Sequence, residues 1–196
     1  MIPRKLNRIL DKDMLCDHFY NDVVGDDRRL RFGGGLTDEY VYVYLNKAVR
    51  EPHKNMWFVV EDKGRIVATC HTAYQKDDNT AELGLTVSPD YRNQKLGQQL
   101  FDRGVTWARM MGAESIFMHC LSENGAMKHI ARKNDMAVVT DDGESDANVH
   151  LEPANALTPL VDSYADRMAL YDMMYKNNIK VMRNFIPKYW YESKSN

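Results

Sequence analysis

Six consecutive residues, Arg92, Asn93, Gln94, Lys95, Leu96 and Gly97, stand between an apolar run, AELGLTVS, and a stretch of helical period, LGQQLFDRGVTWARMMG. A loop that opens a helix presents several N–H groups in a small arc together with the positive end of the helix dipole, and that combination holds phosphate groups. Arg92 adds a fixed positive charge, and Gly97 lets a ligand approach the backbone closely. The same residues also suit a plainly capped helix after a strand, so the loop alone leaves two readings open. Lys95 occupies a place where glycine is expected. If it must adopt positive φ, its side chain costs on the order of 1 kcal/mol, a small penalty against a doubly charged pyrophosphate, and its ammonium adds a charge contact at the helix mouth.

Other reactive residue types are sparse. Cys16, Cys70 and Cys120 are widely spaced, with no CxxC pair and no histidine at ligand spacing, which argues against a disulfide framework or a structural zinc site. Cys70 and Cys120 lie in apolar runs and are expected to be buried thiols. The acidic cluster Asp141, Asp142, Glu144 and Asp146 lacks the twelve-residue spacing and closing glutamate of a calcium loop, so no metal site is expected.

A formal charge of -2, from 26 basic and 28 acidic residues, provides no general positive field for nucleic acid or an anionic membrane; any anion site must be local. A hydrophobic share of 44% with 28% charged residues excludes a wholly disordered chain. The opening MIPRKLNRIL has no signal-peptide core, and no later run approaches the ~20 apolar residues of a membrane span. A cytoplasmic protein with no membrane or nucleic-acid partner is expected. At 196 residues, the chain suffices for one substantial core.

The elements that must position the loop follow from period. Met14, Leu15, Phe19, Val23 and Val24 are spaced for a short amphipathic helix over about Lys12–Val24. A flexible connection through Gly33, Gly34 and Gly35 leads to Thr37, which caps a second helix over Tyr40–Val49 with Asp38 and Glu39 in its first turn. MWFVVED and RIVATCHTAY, separated by Lys63-Gly64, read as a β-hairpin, and AELGLTVS as the third strand of a meander. A helix over about Lys95–Met111, the strand SIFMHCL and a helix over about Asn124–Lys133 follow, so the strands flanking the first helix form a parallel pair. A hairpin turning at Asp142-Gly143 closes the sheet. From Thr158 to Phe185 a helix ~40 Å long carries Val161, Tyr164, Met168, Tyr171, Tyr175, Met182 and Phe185 on one stripe. That stripe packs either on the domain's own surface or against a second copy, making a homodimer through this helix one of two outcomes.

The segment AELGLTVSPDYRNQKLGQQL resembles the acetyl-CoA signature of the GNAT superfamily of N-acetyltransferases: an apolar strand, V-x-P-x-Y-R, then R-x-x-G-x-G/A opening a helix. FMHCLSENGAMKHIARKNDM resembles the family's next strand, asparagine and amphipathic helix. Order and flanking strands agree from about Trp57 to Leu151, most closely with bacterial single-domain members. The resemblance implies an α/β fold: a mixed, strongly twisted sheet whose central parallel strands splay apart, flanked by helices, with residues 1–152 as the acetyl-CoA-binding domain. Residues 153–196 are then a helical extension.

It further implies that pantetheine pairs along Gly84–Val87, including Leu85, Thr86 and Val87, that the pyrophosphate sits on Arg92 to Gln98, and that Asn124 contacts the cofactor. Backbone N–H groups near Leu85 and Val87 would polarise the thioester carbonyl. Glu82 sits where many members carry the base that deprotonates the amine; otherwise it is a sheet-edge carboxylate. The family often has an acidic tyrosine seven residues after the asparagine, and that position is Ala131 here. Ser122, His119 or another tyrosine are the substitutes, with solvent as a further route. His129, two residues before Ala131, points to another helix face. The region Gly25–Leu36 is expected to be a mobile loop that sets acceptor specificity, with Arg28, Arg29 and Arg31 either binding an acidic acceptor or lying on a solvated surface. The implied activity is transfer of acetyl from acetyl-CoA to a primary amine in a ternary complex. The alternative is a non-catalytic acyl-CoA sensor or interaction protein.

Overall fold

A computed structural model describes residues 1–34 and 36–185, with the side chains of the last helix described as far as Lys176. Gly35 of the glycine run, the side chains of Met182 and Phe185, and residues 186–196 of the extension lie outside the described residues.

In chain order the elements are β1 (Arg4–Lys5), α1 (Lys12–Asp17) continued by a π-helical turn (His18–Asp22), α2 (Asp26–Phe32), α3 (Asp38–Arg50), β2 (Asn55–Asp62), β3 (Arg65–Gln75), β4 (Thr80–Val87), a 3-10 turn (Pro89–Tyr91), α4 (Leu96–Met111), β5 (Ser115–Leu121), α5 (Gly125–Lys133), β6 (Ala137–Asp141), β7 (Glu144–His150) and α6 (Thr158–Phe185). One seven-stranded sheet runs β1-β2-β3-β4-β5-β7-β6. Its only parallel pair among the described residues is β4 with β5, and every other neighbour is antiparallel. The expected hairpin turns are present, with Lys63 and Gly64, then Asp142 and Gly143, at positive φ.

Burial separates two faces. On one, Leu83, Leu85, Ile116 and Met118 meet Leu96, Leu100, Phe101 and Trp107 of α4, and α5 completes the layer. On the other, Leu15, Phe19, Val41 and Leu45 from the N-terminal helices cover Trp57, Val59 and Ile66. Residues Ile66–Thr72 of β3 are buried without interruption, as a central strand covered on both faces requires. Each large side chain so enclosed contributes about 1.5–3 kcal/mol. Gly104 allows α4 to lie close on the sheet, because a Cβ there would come within 2.8 Å of Thr72 Oγ1 and 2.9 Å of Leu83 Cδ2.

Two elements were not read from the sequence, the two-residue β1 and a helix in the first loop. Gly25–Leu36 is not simply a loop: Asp26–Phe32 forms α2, with Asp26 and Asp27 in the first turn and Gly33 closing it at φ 74°. Its residues are charged and only half-buried, so no apolar period announced it. Of the two outcomes left open for the α6 stripe, its described residues do not pack on the domain. Val161, Tyr164, Tyr171 and Tyr175 are each at least 58% exposed, whereas Asp162 and Ala169 face inward. Ion pairs from Lys5 and Arg103 to Asp162 and Asp166 hold that polar side down. No helix of the described residues is long and apolar enough to cross a membrane.

Candidate active site

The parallel pair is where the sheet opens. Thr80, Ala81 and Glu82 pair with Ser115, Ile116 and Phe117, and the pairing then stops. From Leu83 to Val87, β4 remains bonded to β3, but its other edge has no strand partner among the described residues. An edge of unpaired N–H and C=O groups is a template for an extended ligand. Beside it lies a cavity of about 700 Å³, within the range of small-molecule sites.

The cavity runs from β4 to the mouth of α4. Leu85, Thr86 and Val87 line it from the strand, Arg92, Asn93, Lys95, Leu96, Gly97 and Gln98 from the loop and helix, and Asn124 from the N-terminal cap of α5. Gln94 does not, because its amide turns back to the carbonyl of Asp90 at 3.4 Å. Lys95 does adopt the left-handed conformation, φ 62° and ψ 13°, and Asn93 has φ 61°. At about 1 kcal/mol for a side chain in that region, the loop keeps a strained turn directly at the helix mouth. Arg92 is held by Asp27 at 2.5 Å. Gly97 borders the cavity, but its closest constraint is packing, since a Cβ there would meet Ile130 Cδ1 at 3.0 Å.

Asn124 is buried and already employed: Oδ1 accepts the Met127 N–H at 3.1 Å as the cap of α5, and Nδ2 donates to the Leu30 carbonyl at 3.3 Å. It ties α5 to α2 across the cavity. Ser122 is not in the cavity wall. Its N–H donates to Gly143 and its carbonyl accepts from Lys128, which keeps it with the β6–β7 turn. Ala131 is 1% exposed within the core beneath α5, so that position faces packing rather than the cavity. His129, expected on another helix face, does border the cavity.

Glu82 lies at the fork, on the last paired step before β4 and β5 separate. Leu83 and Leu85 point into the α4 layer, so alternation puts Glu82, Gly84 and Thr86 on the face toward the N-terminal helices. Glu82 is half-buried and outside the cavity wall proper. Its charge acts on Tyr44 and on His119. His119, on the same face of β5, bonds Asp146 through Nδ1 at 2.7 Å. That hydrogen bond, with the surrounding carboxylates, raises the imidazole pKa above its ordinary value despite an opposing desolvation effect.

On the N-terminal side Arg31, one of the three arginines considered for an acidic acceptor, lines the wall, together with Asp22, Val23, Asp27 and Leu30, which sequence reasoning missed. The π-helical turn carrying Asp22 is pinned to the end of β4. Buried His18 approaches Thr86 Oγ1 with Nε2 at 2.7 Å, and Ser88 Oγ donates to Asp22 at 2.5 Å. Burial lowers the His18 pKa, consistent with a neutral ring. A π-turn at a site is a recognisable signal in structure, but no spacing in the sequence marks it.

Residues 21–135 match the acetyltransferase (GNAT) family. Over 85 residues, 42% of this chain, the sequence is 35% identical to an amino-acid acetyltransferase of Pseudomonas fluorescens strain Pf-5. The match to the amino-acid acetyltransferase of strain Pf0-1 is 34% over the same length. The matched part is 19% of the length of each of these relatives. Among solved structures, the GNAT domain of S. lividans PAT superposes with a TM-score of 0.65 at 16% identity, covering 76% of this chain and 89% of that one. YncA of Salmonella typhimurium, solved with its cofactor acetyl-CoA, gives 0.62 at 17% identity over 80% and 96%. PaiA N-acetyltransferase of Thermoplasma acidophilum, in complex with coenzyme A, gives 0.58 at 15% identity over 76% and 98%. With a family match over residues 21–135 and a sheet that forks between its two parallel strands, this chain belongs to the GNAT acetyltransferase family.

Proposed function

We propose that the protein transfers an acetyl group from acetyl-CoA to a primary amine within a ternary complex. The observation that carries this reading is the open edge of β4 from Leu83 to Val87 leading to the strained turn at the α4 mouth. The donor set suits the cofactor: free strand N–H and C=O groups for an amide-bearing arm, and helix N–H groups with Arg92 and Lys95 for a diphosphate. When bound, acetyl-CoA supplies an activated acetyl thioester. The chain's part is to hold that arm along Leu85–Val87, to aim strand N–H groups at its carbonyl, and to remove a proton from the incoming amine at the carboxylate of Glu82. Ser122 is given no role in this scheme, and protonation of the departing sulfur is left to solvent.

Calorimetry with acetyl-CoA, followed by thiol release across a panel of amines, tests the reading. A dissociation constant in the micromolar range and turnover of at least one amine are expected. No measurable affinity would end it, and affinity without any turnover would leave a coenzyme-binding protein on the same fold.

The extension, residues 153–196, is proposed to hold a second copy. Val161, Tyr164, Met168, Tyr171 and Tyr175 alternate in steps of three and four, the spacing of a helix-to-helix seam, while the opposite side is docked by ion pairs. Sedimentation equilibrium is expected to find a dimer that Tyr171→Glu converts to monomer. A wild-type monomer at 100 µM, a concentration on the order of strong-dimer conditions, would refute it.

A further inference from the structure

The cavity wall formed by α2 carries a cation with no counter-ion among the described residues. The three arginines of this helix are used differently. Arg28 donates to Asp38 at 2.5 Å and to the carbonyls of Phe19, Val23 and Leu36, which locks α2 to its neighbours. Arg29 pairs with Asp26 and Glu123 at the surface. Arg31 forms no ion pair among the described residues. Its one hydrogen bond runs from Nη2 to Tyr44 Oη at 2.8 Å, and its Nε is buried without an acceptor.

The guanidinium is nevertheless firmly placed. Its centre lies 5.0 Å from the ring of Phe32 and 5.7 Å from that of Tyr44. It rests on Gly84, where a Cβ would be 2.1 Å from Nη2 and 2.3 Å from Cζ. Tyr44 does not neutralise it. Asn55 donates through Nδ2 to the Glu51 carbonyl, so its Oδ1 faces His71 and accepts from Nε2 at 2.8 Å. The other imidazole nitrogen, Nδ1, therefore accepts from the Tyr44 hydroxyl at 2.7 Å. Burial, reinforced by the Arg31 charge, lowers His71 to about 3, and burial pushes Tyr44 up to about 12. Both stay neutral, and the positive charge of Arg31 remains open to the cavity.

We propose that Arg31 receives a carboxylate of the acceptor, so that the substrates are amines bearing a carboxylate near the amino group, as in amino acids. This rests on the acetyl-transfer reading above. A guanidinium fork matches a carboxylate with two parallel hydrogen bonds. Arg31 covers Gly84, two residues from Glu82 on the same face. Two residues of strand span about 7 Å, comparable with one hydrogen bond at each end of a small amino acid. A carboxylate held at Arg31 thus brings an amine toward the carboxylate of Glu82. Within the shared cavity the diphosphate mouth follows the Val87 end of β4, whereas Arg31 sits back along the strand at Gly84, toward Glu82; that separation places the carboxylate on the acceptor rather than at the diphosphate end of the donor.

The test measures kcat/KM with acetyl-CoA for amino acids and their primary amides, in the wild type, Arg31→Gln and Gly84→Ala. The alanine methyl would occupy the place of the guanidinium. Since only the end of a flexible side chain must move, this second variant is expected to fold, as thermal melting will report. A preference for the carboxylate of about tenfold to a hundredfold is expected in the wild type, collapsing toward one in both variants. Equal use of acid and amide by the wild type, or a preference that survives in Arg31→Gln, overturns the proposal. Arg31-dependent preference for succinyl-CoA over acetyl-CoA also overturns it, by moving the carboxylate to the donor. If no amine is turned over, the acetyl-transfer reading fails separately. Calorimetry on the CoA-loaded protein then decides the inference: carboxylate-dependent amino-acid binding lost in Arg31→Gln sustains it, and no such binding overturns it.

Discussion

Glu82→Gln is expected to lower kcat/KM for the amine by about 10²–10⁴, the usual contribution of a positioned general base, while acetyl-CoA affinity changes by less than about twofold. The physical reason is the fork. Glu82 is the last residue of β4 paired to β5, and its side chain shares a face with Gly84, where Arg31 rests. An amine delivered there arrives as an ammonium and must lose a proton before it can attack. Glutamine fills the same space but accepts no proton. The residual rate of the variant is therefore expected to rise tenfold per pH unit below the pKa of the amine, because only the fraction already neutral in solution reacts. Steady-state thiol release against pH, together with calorimetry, checks both parts. A loss below tenfold would make Glu82 a bystander at the sheet edge.

Arg103→Met is expected to destabilise the docked α6 helix by about 3 kcal/mol, toward the lower end of the cost of breaking a buried ion pair. Arg103 is 7% exposed on α4, beneath α6. Its Nη2 lies 3.2 Å from Asp162 and also bonds Asp166, while its Cζ stands 4.8 Å over the Phe58 ring. Methionine keeps the packing on Phe58 but leaves Asp162 buried with Lys5 as its remaining cation, at 2.7 Å. The side chain of Lys5 is 35% exposed, so Lys5→Met should cost about 1 kcal/mol or less. That ranking is the sharper part of the prediction.

Amide hydrogen exchange in α6 and urea unfolding measure it, and adding Asp162→Leu to Arg103→Met should recover part of the loss, since no uncompensated charge is then buried. Equal effects of the Arg103 and Lys5 changes would contradict it. Acid should act in the same direction. Burial alone would raise the pKa of Asp166, but hydrogen bonds and charge from Lys5 and Arg103 outweigh it and hold the carboxyl below its ordinary 3.8. Its contribution is therefore present above that value and lost as pH falls through the depressed one.

How far the sequence carries is clear from particular residues. The β-branched and aromatic runs in MWFVVED and RIVATCHTAY, with Lys63-Gly64 between them, and AELGLTVS after a polar turn sufficed for the meander, because each strand is long enough for its composition to show. The helix from Leu96 was legible from Leu96, Leu100, Phe101, Trp107 and Ala108, which are its buried face. The loop before it was legible as a helix mouth because helix-mouth chemistry is local, while phosphate binding and plain capping both stayed open from the loop alone. By contrast, β1 has two residues, too few to show any period, and α2 is a charged helix with no fully buried residue to mark a face.

The chain's sequence by itself thus determined the order of elements from α3 onward, the forked-sheet family and the residues at the α4 mouth, because local backbone preference and apolar period set these over a few residues. Only the tertiary structure decided that Arg28 and Arg29 are spent on ion pairs while Arg31 lies open on Gly84, that Asn124 binds α5 to α2, and that α6 turns its tyrosines outward. Those outcomes depend on which charges meet across distant elements. A carboxylate or guanidinium looks the same in sequence whether its partner is a neighbouring helix, water or a ligand, and desolvation separates these cases only after the chain has packed.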